Sequence, residues 1–302
     1  MFSLRQQNPG GCPYCGGQSS NAFTARDWNQ RSTAETFHYC RCSVCSLIFV
    51  QQVPLDMKQY YVREQYDIPE SLENYEERAN SQSWKLALLK PYLNVGNLLE
   101  IGPATGEFAT VARKSGFTVS LVEMDPRCCE FLRANLQHDV IESSDPVSSI
   151  PQGRTFDAIC VWQTIEHIPK FWRFLEAAAR HLRHGGIIAL STPNPDGFQA
   201  RIMGRRWPHA DAPRHLYLIP PSWFEKTCRS WGLQVAMTTT RDEGSIGLNY
   251  YGWYLWVRNM FSSKLSRERI DRWARWLTNA VRYWERQEGH GCAYVTILVK
   301  AD

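Results

Sequence analysis

The sequence has no long apolar run and no segment with the pattern of a secretory signal. None of its hydrophobic stretches approaches the roughly 20 residues that a membrane-spanning helix needs. Residues 1–11 are polar and lack a basic region followed by an apolar one. Both absences favour a cytoplasmic protein without a membrane span, in which the ten cysteines are more often thiols or metal ligands than disulfides.

The net charge is also small, with a formal value of +4 at pH 7. A protein that tracks a nucleic-acid backbone usually carries a stronger and more clustered positive charge. The charge therefore favours a small-molecule substrate, although RNA stays open as an alternative. With 302 residues, 43% of them hydrophobic, the chain is long enough for one sizeable α/β domain and a small appendage.

Five of the ten cysteines lie before residue 46. Two CxxC pairs, Cys12/Cys15 and Cys42/Cys45, have the arrangement of a zinc ribbon, because paired thiolates on tight turns complete a tetrahedral shell. Four thiolates leave no open position, so we predict a structural Zn²⁺ held by these four residues. Cys40 is left over and is the alternative to Cys42. Redox chemistry is a lesser alternative, because no thioredoxin-like unit surrounds the pairs.

Short apolar runs alternate with helical patterns between residues 97 and 193, which is typical of a parallel sheet flanked by helices. The predicted strands are Leu98–Ile101, Thr118–Val122, Phe156–Val161 and Ile187–Leu190, and the first predicted helices are Gly106–Lys114 and Pro126–Leu136. A further helix, with apolar residues at a 3.6-residue spacing from Phe171 to Leu182, is predicted to end at Gly185 and Gly186.

The C-terminal third is predicted to contain two more helices and a last strand. The helices are Pro221–Trp231 and a longer one from about Ser266 to Glu288. The longer helix carries an apolar stripe formed by Ile270, Trp273, Leu277, Ala280 and Trp284. Residues Cys292–Lys300 are predicted to form an edge strand.

A small-residue loop, Glu100-Ile-Gly102-Pro-Ala104-Thr-Gly106, joins the first predicted strand to the first predicted helix. Small residues let a cofactor approach the backbone, and the helix N-terminus offers free N–H groups. Glu123 ends the second strand about 20 residues later, where a carboxylate can bind ribose hydroxyls. A nicotinamide site would instead show G-x-G-x-x-G after a strand that ends in apolar residues.

This loop resembles motif I of the class I S-adenosylmethionine (SAM)-dependent methyltransferases, with Ala104 in place of the usual middle glycine. The resemblance covers roughly residues 80–240 and continues through Val122–Asp125, Phe156–Ile159, Trp162–Pro169 and His184–Asn194. The last two stretches look like the ubiquinone O-methyltransferases. The resemblance implies an α/β fold with a Rossmann-like sheet of seven strands, here with an N-terminal zinc ribbon and a C-terminal helical insertion. Zinc-binding segments of this kind precede methyltransferase domains in sugar and natural-product methyltransferases.

The resemblance also implies SAM as the cofactor and a set of residues that bind it. These are Glu100, Gly102, Ala104, Thr105, Gly106, Glu123, Met124, Asp145 and Gln163. Glu123 would hold the ribose, and Met124 would pack on the adenine face. Asp145 would accept from the adenine amino group, with Glu142 or Ser144 as alternatives.

The predicted domain layout follows the chain. It has a zinc-ribbon-like module at 1–50, a connecting helical segment or lid at 51–96, and the methyltransferase domain at 97–302. Within that domain, residues 194–217 form a substrate insertion and residues 246–289 a helical insertion.

A base is needed when the methyl acceptor carries a proton. The candidate catalytic residues are His167, His215 and Glu166, although His167 could instead organise the start of a helix. The candidate substrate residues in the insertion are Arg205, Arg206, His209, Arg214 and Tyr217. The arginines would hold a phosphate or carboxylate of the substrate, or only form a solvated basic rim.

A dense aromatic cluster lies between Tyr250 and Trp256. It fits a lid over an apolar substrate, ordinary core packing, a homodimer interface, or contact with a membrane surface. Of these roles, core packing and a lid are favoured over contact with a membrane.

The sequence thus predicts SAM-dependent methyl transfer to a small molecule, at oxygen, in a bacterial secondary-metabolite, quinone or sugar pathway. The alternatives are a zinc-ribbon RNA base methyltransferase and a non-catalytic SAM-binding scaffold protein.

Overall fold

The computed structural model describes residues 4–7, 11–61, 67–69, 72–261 and 264–301. Contacts divide the chain into two compact units. The first unit comprises Met1–Val62, Thr192–Lys226 and Thr238–Val295, and the second comprises Arg63–Ser191, Thr227–Met237 and Thr296–Asp302. Residues 194–217 and 246–289, which we predicted as insertions, therefore group with the N-terminal cysteine segment.

The first unit contains a small antiparallel sheet next to the cysteines. Its strands are β2 (Ser19–Ala25), β3 (Phe37–Cys42), β4 (Ile48–Val50) and β11 (Tyr217–Leu218), in the order β11-β4-β3-β2. A separate pair is formed by β1 (Leu4–Gln7) and β5 (Gln52–Pro54). Strand β11 comes from the end of the predicted substrate insertion, so this insertion completes the sheet of the cysteine module.

A seven-stranded sheet, most of which belongs to the second unit, confirms the predicted fold. Its strands are β6 (Gly96–Ile101), β7 (Phe117–Glu123), β8 (Val140–Glu142), β9 (Phe156–Trp162), β10 (Leu182–Pro193), β12 (Leu233–Thr239) and β13 (Ala293–Lys300). Their order is β12-β13-β10-β9-β6-β7-β8. The pairs from β10 to β8 are parallel, so their carboxyl ends share one edge, where α/β sheets bind ligands.

Nine α-helices are seen in the described part of the chain. They are α1 (Tyr75–Asn80), α2 (Ser83–Leu89), α3 (Glu107–Lys114), α4 (Pro126–Leu136), α5 (Phe171–His181), α6 (Phe198–Met203), α7 (Pro221–Thr227), α8 (Glu243–Phe261) and α9 (Arg267–Glu285). Two of them, α4 and α9, begin with a side-chain cap. Helix α4, for example, begins with Pro126 after Asp125, whose side chain accepts the Arg127 N–H. None of the described helices is long and apolar enough to cross a membrane.

The end of α5 and the start of β10 differ from the prediction. Helix α5 ends at His181 and β10 begins at Leu182, so the prediction that Gly185 and Gly186 end the helix is wrong. The pairing of β10 with β9 is irregular between Leu182 and Ile187, and Gly185 has a φ of +71°. The glycines therefore allow an irregular start of the strand, as glycine does in bulges.

Strand β13 is not an edge strand, as the sequence predicted, but lies between β12 and β10. Its first six residues, from Ala293 to Leu298, are all buried. A strand that is covered on both faces has a continuous apolar run instead of an alternating one. The continuous run in β13 could therefore have indicated a central strand.

The apolar stripe predicted for the last long helix coincides only in part with the face that packs, because of its members Ile270 is buried but the tryptophans are not. In α9 the buried residues are Ile270, Ala274 and Glu285, whereas Trp273 and Trp284 of the stripe are 52% and 49% exposed. The tryptophans lie to one side of Ile270 around the helix axis, and Ala274 and Glu285 lie to the other side. Helical spacing alone does not tell which of these two sides is packed.

Candidate active site

The loop between β6 and α3 contains three residues in the left-handed region. Gly102, Ala104 and Gly106 have φ values of +70°, +51° and +78°. A Cβ atom on Gly102 would lie 2.7 Å from Oγ1 of Thr164, so both the backbone conformation and the close packing require glycine there. Ala104 also adopts a left-handed conformation, which glycine tolerates better than alanine. This explains why the motif usually has glycine at this position.

Glu100 at the end of β6 is a buried carboxylate with unused hydrogen-bonding capacity. Among the residues that the structure describes, its Oε2 atom has no hydrogen-bond partner. Burial raises the pKa of Glu100 to about 8, and the nearby charge of Lys85 acts in the opposite direction. A buried acceptor without a donor is costly, so a ligand that donates a hydrogen bond or carries positive charge would be stabilised here.

Glu100 lines a pocket of about 380 Å³ in the second unit. The pocket is formed by the glycine loop, the end of β9 and the α1–α2 segment, with Gly102, Pro103, Ala104, Glu107, Phe108, Trp162, Arg78, Ser81, Gln82 and Lys85 as the other lining residues. The buried indole N–H of Trp162 also has no hydrogen-bond partner among the described residues. The pocket thus offers both a free acceptor and a free donor to a ligand.

Sequence reasoning did not assign Lys85, Phe108 or Trp162 to this pocket. The Nζ atom of Lys85 lies 5.1 Å from the ring centroid of Trp162 and 5.5 Å from that of Phe108. Trp162 ends β9 directly before Gln163, and this strand-end position was a usable signal. Lys85 comes from α2, and nothing in its local sequence relates it to the glycine loop.

Glu123 at the end of β7 ties the glycine loop to the neighbouring strand. Its Oε2 accepts the Ala104 N–H at 2.9 Å, and its Oε1 accepts the Met124 and Asp125 N–H groups at 2.7 and 2.8 Å. A carboxylate has about four lone-pair positions, so one position on Oε2 stays available. Burial raises the pKa of Glu123, and these three N–H groups oppose the rise.

Thr105 lies in the loop before α3, and Gln163 directly follows the end of β9. The Thr105 hydroxyl donates to Glu107 Oε1 at 2.7 Å. Gln163 has a φ of +48°, and its N–H donates to the Ser191 carbonyl at 2.9 Å. This backbone bond to β10 leaves the Gln163 side chain at the carboxyl end of β9.

Met124 and Asp145 lie on the outer side of the same sheet edge. Met124 is 51% exposed, which is compatible with a side chain that covers a flat ligand. Asp145 is exposed and accepts the Val147 N–H and the Ser148 hydroxyl, and the hydroxyl bond lowers its pKa. Asp145 therefore orders the loop after β8, and its predicted contact with adenine stays a prediction.

Glu166 and His167 form a short 3-10 turn, Ile165–His167, just beyond β9. Glu166 is fully buried and His167 half-buried. The His167 N–H donates to the Thr164 carbonyl at 3.0 Å. Both residues thus lie at the carboxyl edge of the sheet, and their catalytic roles stay predictions.

The four predicted metal ligands lie together in the first unit. The sulfur atoms of Cys12 and Cys45 are 3.7 Å apart, and those of Cys15 and Cys42 are 3.5 Å apart. All four sulfurs lie within 4.8 Å of one another, and a tetrahedral ion with Zn–S bonds of about 2.3 Å would separate them by about 3.8 Å. Cys40 is not part of this group, so the alternative that it replaces Cys42 finds no support.

Arg214 is the centre of a buried ion-pair network. Its Nη1 and Nη2 atoms donate to Asp27, its Nε and Nη2 to Asp211, and Nη1 also to the Tyr60 carbonyl. These bonds use all five N–H groups of the guanidinium. Arg214 therefore links the cysteine module to the insertion and has no donor left for a substrate anion.

The two histidines of the insertion have defined hydrogen bonds. Burial lowers the pKa of His209 to about 4, so the ring is neutral at pH 7 and its Nε2–H donates to the Leu248 carbonyl at 3.1 Å. Nδ1 of His215 lies 2.9 Å from the His209 carbonyl and must carry a proton, because a carbonyl oxygen only accepts. Nε2 is then the ring nitrogen of His215 that can take up a proton.

The other predicted substrate residues divide into exposed and buried positions. Arg205 and Arg206 are exposed and line a groove of about 270 Å³ together with Arg26, Trp28 and two threonines. Tyr217 is buried in β11, where it pairs with Phe49. The exposed arginines are thus accessible to a ligand, and Tyr217 belongs to the small sheet.

The sheet order, the left-handed glycine loop and the carboxylates at the ends of β6 and β7 define a class I SAM-dependent methyltransferase. The methyltransferase domain family matches residues 72–237, more than half of the chain, and the chain belongs to this family.

Individual relatives are distant. The chain is 22% identical over 160 residues to a ubiquinone biosynthesis O-methyltransferase of Klebsiella pneumoniae, covering 51% of this chain and 65% of that protein. A protein of the same name from Xanthomonas axonopodis is 25% identical over 149 residues, covering 46% and 62%. The chain thus spans less than two thirds of the length of these curated relatives. A solved structure of a methyltransferase from Galdieria sulphuraria is similar with a TM-score of 0.51 and 15% sequence identity. The superposition covers 75% of this chain and 86% of that protein, which shows the fold.

Proposed function

We propose that this protein transfers a methyl group from SAM to an oxygen atom of a small-molecule acceptor. The observation that carries the proposal is the buried Glu100 oxygen without a partner among the described residues, beside the left-handed loop. The SAM ammonium group would supply the missing donor. The curated relatives are O-methyltransferases by name, which supports oxygen as the acceptor atom in a metabolite, quinone or sugar pathway. None of the ten cysteines, all of which lie in the described part of the chain, forms a disulfide, which fits a cytoplasmic enzyme.

Each cofactor residue has a role that its position supports. Gly102, Ala104, Thr105 and Gly106 let SAM approach the backbone. Glu123 would use its remaining Oε2 position for a ribose hydroxyl, and Met124 would cover the adenine. Gln163 lies next to the pocket and would contact the methionine part, while SAM itself supplies the methyl group.

An oxygen acceptor loses its proton during the transfer, so a base must reach that proton. We propose His167 or His215 for this role, with Glu166 beside His167 as the group that stabilises its charged form. In His215 the base would be Nε2, because its Nδ1–H donates to the His209 carbonyl.

SAM binding should release close to one proton near pH 7. The folded apo protein holds Glu100 protonated up to a pKa of about 8, whereas a bound ammonium favours the carboxylate. Binding should therefore tighten as the pH rises from 7 to 8. Titration calorimetry at pH 7 in phosphate and in Tris should give enthalpies that differ by the ionisation of one buffer proton.

The matched variant for this effect is Glu100→Gln, which should bind SAM without the buffer dependence. The same variant tests the sign of the linkage. The pKa of Glu100 is raised from an ordinary value of about 4.5 to about 8 in the folded apo protein. The free energy of unfolding should therefore fall as the pH rises from about 4.5 towards 8. In Glu100→Gln this pH dependence should be smaller. Equal enthalpies in both buffers for the parent protein would rule out the assigned role.

We further propose that the acceptor carries an anionic group, which Arg205 and Arg206 bind. In the described part of the chain no carboxylate pairs with either guanidinium, and the groove that they line contains a third arginine, Arg26. Like charges in one groove repel each other, so an anion that bridges them is favoured.

Arg205→Gln and Arg206→Gln should each raise the KM of the acceptor about tenfold, the loss of one charge-assisted hydrogen bond. Because neither residue belongs to the SAM pocket, the Kd of SAM should not change. Arg201→Gln, an exposed arginine of α6 that does not line this groove, is the control. Equal KM values for all three variants would leave the acceptor without an arginine contact.

For the four-cysteine site we propose Zn²⁺ with a structural role. Four sulfur ligands close the tetrahedral shell, so the ion would hold the turns around Cys12–Cys15 and Cys42–Cys45 and take no part in the methyl transfer.

The function is tested by incubating the protein with methyl-labelled SAM and an extract of its native host. Label in a small molecule supports the proposal, and the mass of the product identifies the acceptor. Label in nuclease-sensitive material would make the protein an RNA methyltransferase. SAM binding without any labelled product would point to a non-catalytic scaffold protein.

A further inference from the structure

Helix α9 exposes four large aromatic side chains. Trp273, Trp276, Tyr283 and Trp284 are 52%, 59%, 74% and 49% exposed. We call them the α9 aromatic face. Isolated exposed aromatic residues are ordinary, but a continuous exposed apolar patch marks an interaction surface.

The four residues form one continuous sector of the helix. At 3.6 residues per turn they lie within an arc of about 100° and extend over about 16 Å. The buried residues Ile270, Ala274 and Glu285 fall in a separate sector. Within the aromatic face the side chains contact each other pairwise, with ring centroids 5.6 Å apart for Trp273 and Trp276. Packing in the first unit therefore uses another side of α9.

Positive charge accompanies the aromatic residues. Seven basic and three acidic residues lie between Lys264 and Arg286. Arg269 falls in the same sector as the aromatic face and Arg272 at its border, and both are exposed. Two of the three acidic residues are engaged, because Asp271 pairs with Arg275 and Glu285 is buried. An anionic partner is therefore favoured.

We propose that α9 lies in the surface of a membrane that contains anionic lipids, with the aromatic face turned towards the acyl chains. Tryptophan and tyrosine combine an apolar body with a polar N–H or O–H group, which suits the headgroup region. Arginine binds lipid phosphates. Aromatic residues on one face with arginines beside them are typical of helices that bind in the interface.

The end of α8 extends the same chemistry. Met260 and Phe261, its last residues, are 38% and 40% exposed, and the exposed Lys264 follows them. The end of α8 thus adds two exposed apolar side chains shortly before Lys264, the first of the seven basic residues. The proposal does not depend on which molecule accepts the methyl group.

The full-length protein should co-sediment with vesicles of phosphatidylcholine and phosphatidylglycerol, and only weakly with pure phosphatidylcholine. The double variant Trp276→Ala/Trp284→Ala should lower the partition coefficient at least about tenfold. Arg269→Gln/Arg272→Gln should lower it about fivefold per charge, and only for the anionic vesicles. Raised salt should weaken the binding of the parent protein.

The control variant is Leu55→Ala, which removes an exposed apolar side chain, 58% exposed, elsewhere in the first unit. It should bind vesicles like the parent. All these positions are exposed, so unchanged circular dichroism and Tm are expected for every variant. Tryptophan fluorescence should be quenched by brominated lipids in the parent and much less in the double variant. The proposal is overturned if anionic vesicles do not bind the parent, if the double variant binds equally well, or if the same tryptophan changes dissolve a dimer instead.

Discussion

Gly102→Arg is expected to weaken SAM binding at least about a hundredfold. The φ of +70° strains any L-amino acid other than glycine. The new Cβ would lie 2.7 Å from Oγ1 of Thr164, which forces the loop to move, and the rest of the side chain would enter the pocket beside Glu100. Calorimetric titration of SAM into the variant and the parent measures the effect.

Gly153→Arg is the matched control for this prediction. Gly153 belongs to the same unit and has a φ of +73°, but a Cβ atom added there would meet nothing within 4 Å beyond its chain neighbours. The variant therefore has comparable backbone strain without a clash at the pocket, and it should keep the parent's Kd. Glu123→Ala tests the pocket from the neighbouring strand, because it removes the acceptor of three backbone N–H groups. If Gly102→Arg and Glu123→Ala both bind SAM like the parent, the pocket is assigned wrongly.

Cys45→Ala is expected to abolish zinc binding and to unfold the cysteine module. Structural zinc contributes about 10–16 kcal/mol to the folding of isolated zinc-finger peptides, far more than any single contact of the small sheet. Cys42 ends β3 and Cys45 lies in the turn before β4, so the loss of the ion frees both strands. Metal analysis should find about one zinc per chain in the parent and none in the variant, and hydrogen exchange in β2–β4 should rise steeply.

Cys40→Ala separates the loss of a metal ligand from the loss of a buried cysteine. Cys40 is buried in β3 but lies outside the group of four sulfurs. Its removal should cost only about 1 kcal/mol of packing and leave the zinc content unchanged. A Cys45→Ala protein that retains a full equivalent of zinc would show that the four cysteines do not hold the ion together.

The motifs were readable from the sequence because their chemistry depends on spacing. Paired cysteines two residues apart form metal-binding turns wherever they occur. In the same way, a small-residue loop between a strand and a helix, followed by a carboxylate such as Glu123 at the next strand end, is typical of a nucleoside-cofactor site. Five strands of the sheet were also readable, because apolar periodicity is a local property, whereas the total of seven followed from the family resemblance and β8 and β12 were not predicted.

Arg214 illustrates what local reasoning could not provide. In the sequence it belongs to a basic insertion, next to residues that look suited to a phosphate. Its partner Asp27 is 187 positions away, so nothing near Arg214 indicates that all its N–H groups are used within the protein. The contact between Lys85 and Trp162 was equally unpredictable, because it depends on how α2 packs on the sheet.

Helix α9 shows the complementary limit. Its tryptophans recur at helical spacing, and such a pattern predicts a helix but not which side is buried. The side chains of Ile270 and Ala274 are smaller than the tryptophans, yet they form the packed sector, because the neighbouring elements of the first unit, and not hydrophobicity alone, decide what fits. The exposed aromatic face became visible only when the packed face was known.

The amino-acid sequence by itself was enough to predict the class of sheet, its glycine loop and the four cysteines, because spacing and periodicity act over a few residues. Tertiary structure alone decided that β11 from residues 217–218 completes the sheet of the cysteine module, that β13 is central, and that Glu100 keeps an oxygen without a partner among the described residues. These features arise from contacts between segments far apart in sequence, whose free energy depends on how complementary surfaces pack and not on the residues at either position alone.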